Sequence, residues 1–159
     1  METFIGIPYS FWSPQNEKSV YEFCKRLPEE NKIKETGVCC SGLINLFLLK
    51  NNKQPVGGTE KWFEYLTSLE TTVALNDHIL IPTGSLVFSN YEDETTQGHI
   101  AYVVSDSKEI HNSTIIHSIG RYPIENTLLY GPGVIEEPLI NSIEMYTHVS
   151  LGTNWLDKI

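Results

Sequence analysis

Positive charge is scarce in this chain: 11 Lys and Arg stand against 20 Asp and Glu, a net charge of −9 over 159 residues. That balance excludes a nucleic-acid partner and a partner that is an anionic membrane, since both require a basic face to displace counterions. Long apolar runs are missing as well. Nothing approaches the roughly 18–20 consecutive apolar residues that span a bilayer. The opening stretch, Met1-Glu2-Thr3-Phe4-Ile5-Gly6, has neither a basic region nor a long apolar one, so no secretory signal is expected and a cytoplasmic setting is. Cysteine is limited to Cys24, Cys39 and Cys40, with Cys39 and Cys40 adjacent. Adjacent cysteines strain a bridge, so no disulfide framework is expected and reduced thiols fit the same compartment. Neither the cysteines nor the 5 histidines show the paired spacing of a zinc site, so no metal and no cofactor are expected. Repeats and low-complexity tracts are absent.

What is present suits a folded chain. Hydrophobic residues make up 40% and charged ones 19%, enough for one domain over residues 1–159 with its own core. Ser19 and Glu22 form a capping box for a helix with Val20, Phe23, Cys24 and Leu27 on one stripe, ending near Pro28. Glu29 to Thr36 reads as a surface connection. From Cys40 the chain is apolar on nearly all sides, which predicts a buried helix broken by Asn51 to Gly58. Thr59 is placed to cap a third helix carrying Trp62, Tyr65, Leu66 and Leu69 at helical spacing. Strands are expected at Ile79–Ile81, Ser85–Ser89, His99–Ser105, Thr114–Ile119 and Met145–Leu151, with an acidic loop from Asn90 to Gln97. Helices first and strands later give an α+β class, with helices packed on an antiparallel sheet or partly open barrel.

Cys40 is the most informative residue. It stands where a loop ending in Gly37-Val38 meets a helix, followed by small Ser41 and Gly42. A thiol at a helix N-terminus meets the positive end of the helix dipole and free N–H groups, which favour the thiolate. The same N–H groups are placed to form part of an oxyanion hole. A structural cysteine is the competing reading, and it is the one preferred for Cys24 and Cys39. A nucleophilic thiol needs a base, and His99, after Gly98 at the mouth of a strand, is rigidly held yet reachable. A third polar group should orient it. Strand parity favours His117, which shares a face with Ile115, over His111 in a polar stretch. His78 and His148 read as ordinary histidines. Trp62, Phe63 and Tyr65 suit either a cleft wall or, for at least two of them, core packing.

The chain also reads Gly6-Ile7-Pro8-Tyr9, Cys39-Cys40-Ser41-Gly42-Leu43, Gly84-Ser85-Leu86-Val87-Phe88, Gly98-His99-Ile100 and Ile116-His117-Ser118, in that order. With these motifs it resembles the NlpC-type cysteine peptidases, which have a papain-like core. The resemblance implies Cys40 as nucleophile, His99 as base, and Tyr9 as a hydroxyl near the oxyanion, although Tyr9 also fits an aromatic cluster with Phe11 and Trp12. It implies amide hydrolysis in short peptides such as peptidoglycan stem peptides. An acyltransferase or thioesterase on the same fold, and a catalytically silent binding domain, are the alternatives. The chain departs from the family at Cys39 and Ser85, where the motifs usually carry aspartate, and in a longer insertion before Cys40. Family spacing between the two histidines favours His111, so spacing and strand chemistry disagree on the third residue.

Overall fold

The structure is a computed structural model that describes residues 1–7, 9–10, 37–89, 98–105, 112–123 and 129–159. The helix expected between Ser19 and Pro28, the connection after it, Cys24, the acidic stretch 90–97 and His111 lie outside these residues. The class is α+β. Helices α1 (Cys40–Lys50) and α2 (Thr59–Thr67) precede most of the strands, and a short α3 (Asn154–Asp157) closes the chain. The strands are β1 (Tyr9–Ser10), β2 (Thr72–Ala74), β3 (Leu86–Phe88), β4 (Ile100–Val103), β5 (Thr114–Pro123), β6 (Leu129–Pro138) and β7 (His148–Ser150). They form one antiparallel sheet in the order β1-β6-β5-β4-β3-β7-β2, open at both edges. Among the described residues, no helix is long and apolar enough to cross a membrane.

Both faces of the central strands are covered, which explains their continuous apolar runs. Ile100 and Tyr102 of β4, with Leu86 and Phe88 of β3, face α1, α2 and Trp155; Cys40, Ile44, Leu48, Trp62 and Leu66 fill that layer. Val87, Ala101, Val103, Ile115 and Val149 face the other way, where Ile81, Leu139 and Tyr146 cover them. Period-two alternation along each strand thus feeds two cores. Helix α1 is buried nearly all round, as its sequence implies, and its one amide is paired through both its oxygen and its nitrogen. Asn45 Oδ1 accepts the Val56 N–H and the Trp62 Nε1–H, each at 3.1 Å, while Nδ2 donates to the Gly57 carbonyl at 2.7 Å. That side chain bolts α1 to α2 and to the segment between them.

Several expected boundaries shift. Ile79–Ile81 is not a strand: only Ile81 makes an isolated bridge. Asn76 folds this stretch into a turn by accepting the His78 N–H at 3.0 Å, and Pro82 removes the next donor. Gly58, rather than Thr59, is the N-cap of α2. Strand β7 is three residues, because Leu139–Met145 forms a 3-10 segment before it. Strands β1, β2 and β6 have no counterpart in the sequence expectations. The glycines and prolines of β6 mask it, and it is accommodated by an irregularity in β5 between Gly120 and Tyr122.

Candidate active site

Helix α1 begins at Cys40 because Gly37, at φ +73°, turns the chain into an extended N-cap at Cys39, whose carbonyl accepts the Leu43 N–H at 3.0 Å. The segment before the helix is tied to β5. Ser118, fully buried, donates its hydroxyl to the Val38 carbonyl at 2.6 Å. The nucleophile candidate and the strand carrying His117 are therefore fastened directly to each other.

The seam between β4 and β5 receives the thiol. These strands pair at Tyr102↔Ile116 and Val103↔Ile115, and the ladder goes no further. Extending the register, the next inward N–H of β4 is that of Ile100, opposite Ser118. It points instead toward the sulfur of Cys40, and with the N–H groups of Cys40 and Ser41 at the helix start it lies close enough to favour the thiolate electrostatically. The sulfur thus sits against the peptide that joins His99 to Ile100. Cys40 and the backbone leading out of His99, from elements sixty positions apart, thus come together at the Ile100 N–H, with the His99 ring turned toward His117 and Tyr146.

His99 is held at its backbone by Ser89, which receives its N–H on Oγ at 3.2 Å and donates to its carbonyl at 2.9 Å. Its ring stands 5.2 Å from that of His117, nearly perpendicular, and 5.6 Å from that of Tyr146. His99 Nε2 lies 3.0 Å from His117 Nδ1, and the described residues place no hydrogen-bond partner on His99 Nδ1. Tyr146 Oη also lies 3.0 Å from His117 Nδ1. On the far side of that ring, Nε2 is 3.0 Å from Glu137 Oε1, close enough for an ion pair though poorly aligned for a straight hydrogen bond. His117 is completely buried and the Glu137 side chain is 13% exposed.

Electrostatics correct one expectation. The helix-start N–H groups do pull the Cys40 thiol downward, but burial outweighs them, aided by the neighbouring Cys39 thiol, and pushes it up to about 12. Burial, and then the charge of His117, lowers His99 to about 3. At rest the thiol and the imidazole are consequently each neutral, and no thiolate is preformed. Burial likewise raises the Tyr146 phenol well above its ordinary value, against a lowering influence of the Ser142 hydroxyl and with smaller upward contributions from Cys40 and Glu137, so the phenol keeps its proton.

The other sequence candidates fall elsewhere. The Tyr9 ring rests on Gly120, where any Cβ would collide with it. Gly120 shares the α1 face of β5 with Ser118, so Tyr9 lies on the helix side of the sheet. Trp62 is core, Tyr65 donates to the Trp155 carbonyl at 2.6 Å, and Phe63 packs edge-on against Phe88 and His148; all three pack rather than line a cleft. Cys39 is only half-buried, against the core reading, with Sγ 3.5 Å from Ser41 Oγ. Ser85 donates to the Pro82 carbonyl at 2.6 Å and accepts the Gly152 N–H at 2.9 Å, closing a turn. His78 is exposed and His148 stacks on Phe88.

Glu137 and Tyr146 were not singled out by the sequence. Glu137 shares a strand face with Ile135 and pairs across from Ile115, so an acidic residue alternating onto an apolar face was the available signal, hidden because β6 itself was. Tyr146 carries no such signal. Among the described residues, no group of three or more His, Cys, Asp or Glu is arranged to hold a metal ion. Compared with protein-family models, with curated proteins and with solved structures, the chain matches none.

Proposed function

We propose that the chain is a cysteine-dependent amide hydrolase with a papain-like, NlpC-type fold, in which Cys40 is the nucleophile and His99 its base. The observation that carries this reading is the approach of the Cys40 sulfur to the peptide after His99, while His99 Nε2 is engaged by His117; in this reading Nδ1 is the nitrogen that serves the thiol. A helix that starts at a cysteine and packs across antiparallel strands, one of them led by a histidine, supports the fold assignment.

In this mechanism the Cys40 sulfur attacks an amide carbonyl while its proton passes to His99 Nδ1, so no free thiolate has to persist in the buried site. The N–H groups that surround the sulfur are positioned to stabilise the developing oxyanion. Collapse breaks the C–N bond as His99 protonates the leaving amine. A water, deprotonated by His99, then releases the acid and restores the thiol. The sequence resemblance points to short peptides of the peptidoglycan-stem kind as substrates, and to a role for the Tyr9 hydroxyl near the oxyanion.

The test is incubation with stem-peptide fragments, with and without an amine acceptor, and product identification by mass. Hydrolysed peptide from the wild type and none from Cys40→Ala is the expected result. Transfer to the amine would replace hydrolysis by acyl transfer, and equal product from both chains would reject the reading.

A further inference from the structure

We infer that His99 and His117 form a two-imidazole proton relay, in which the positive charge created when Cys40 gives up its proton is carried by His117 beside the Glu137 carboxylate rather than by His99. The inference rests on the proposed pairing of Cys40 with His99.

The relay assigns the resting tautomers one after another. Tyr146, whose phenol burial keeps protonated, donates its hydroxyl to His117 Nδ1 across 3.0 Å, making that nitrogen the acceptor. The His117 proton then sits on Nε2, 3.0 Å from Glu137 Oε1. His99 Nε2, also 3.0 Å from His117 Nδ1, shares that lone pair and carries a proton of its own. That leaves His99 Nδ1 bare, which a base serving a thiol requires.

The same line of contacts moves charge. When the Cys40 proton reaches His99 Nδ1, the proton on His99 Nε2 passes to His117 Nδ1, and His117 becomes the imidazolium. In a serine-protease triad the third group does not take the proton, because a carboxylate is far less basic than imidazole. Here donor and acceptor are both imidazoles with the same intrinsic pKa, about 6.5, so surroundings decide where the charge rests. Among the described residues, Tyr146 from the end of the 3-10 segment and Glu137 from β6 face the pair, with Cys40 near enough to Tyr146 to act on its phenol. Of these, Glu137 is the carboxylate, and it touches His117. An opposite charge at such range favours the protonated ring by roughly 1–3 pKa units. When the substrate amine leaves, the two protons return along the same path, so atoms and charge balance over the cycle. Glu137 and Tyr146 are positioning residues in this scheme.

The test uses the full chain labelled with 15N at histidine, followed by long-range proton–nitrogen spectra through an acid titration. The expected first protonation of the pair puts both ring nitrogens of His117 in the protonated range, while His99 Nδ1 keeps the signature of a bare nitrogen. Glu137→Gln should lower the His117 midpoint by about one unit or more and reduce kcat about tenfold with KM unchanged. Tyr146→Phe, which leaves the carboxylate in place, should raise that midpoint, because a donor to the neutral form is removed; it decides the matter if Glu137→Gln does not fold. A first proton on His99, or a midpoint unmoved in the variant read, would overturn the relay. The spectra involve no substrate, so failure of the hydrolase reading appears separately, as product formation unaffected by Cys40→Ala.

Discussion

Cys40 combines two environments that act in opposite directions on its sulfur. Three backbone N–H groups converge on it, yet burial holds the thiol up to about 12. A small alkylating reagent reports the balance directly, because only the thiolate reacts. In the native chain, labelling of Cys40 by iodoacetamide should be slower at pH 7.5 than labelling of the half-buried Cys39. It should then climb about tenfold per pH unit beyond pH 10 without levelling off, since the thiolate fraction grows by that factor below the pKa. A Cys40 rate that is already flat near neutrality, read by mass spectrometry of the labelled peptides, would mean a standing thiolate and a different resting state. In the proposed mechanism catalysis does not depend on that standing population: the proton leaves as the carbonyl arrives, and the same N–H groups that weakly favour the thiolate are then available to the oxyanion.

At the level of elements, the site depends on keeping the first turn of α1 against the opening between β4 and β5, and the Ser118 hydroxyl on the Val38 carbonyl is the fastening. Ser118→Ala leaves a buried carbonyl without this donor, a loss of about 1–3 kcal/mol. Urea unfolding should show that loss, and kcat should fall more than the stability change alone accounts for, because the sulfur drifts from the His99 peptide. Unchanged kcat in a fully folded Ser118→Ala chain would show that the fastening does not position the thiol. Much of this frame was legible in the residues: the helix beginning at Cys40, the strand mouth at His99, and the parity argument that put His117 on the face of Ile115. The rest was not, for physical reasons. Glycine and proline in Gly131-Pro132-Gly133 read as a break, although β6 runs through them. With β6 unseen, Glu137 had no strand face, and a cross-sheet contact such as Tyr146 to His117 has no periodic trace in sequence. Spacing pointed to His111 and parity to His117; only His117 lies among the described residues, and its ring reaches His99.

For the molecule as a whole, burying a neutral imidazole and a neutral thiol links folding to pH from both sides. Unfolded, a histidine binds its proton near 6.5 and a cysteine loses its proton near 9; folded, His99 is lowered to about 3 and Cys40 is raised to about 12. Between about pH 3 and 6.5 the unfolded chain holds the extra proton at His99, so stability falls as the solution is acidified through that range. Above about pH 9 the unfolded chain has released the Cys40 proton that the native chain retains, so stability falls again as pH rises. Each arm is worth at most a few kcal/mol, roughly 1.4 kcal/mol for every pH unit that separates the folded from the unfolded pKa. The stability plateau should therefore lie between about pH 6.5 and 9. Carboxylates add their own acid dependence, so the two arms are separated by substitution. Urea midpoints measured from pH 4 to 10 should fall less steeply on the acid side in His99→Gln, and should lose most of the alkaline decline in Cys40→Ala. If both variants trace the wild-type curve with a constant offset, then neither group is buried in its neutral form. The close meeting of helix and strand at the thiol would then not exist in solution.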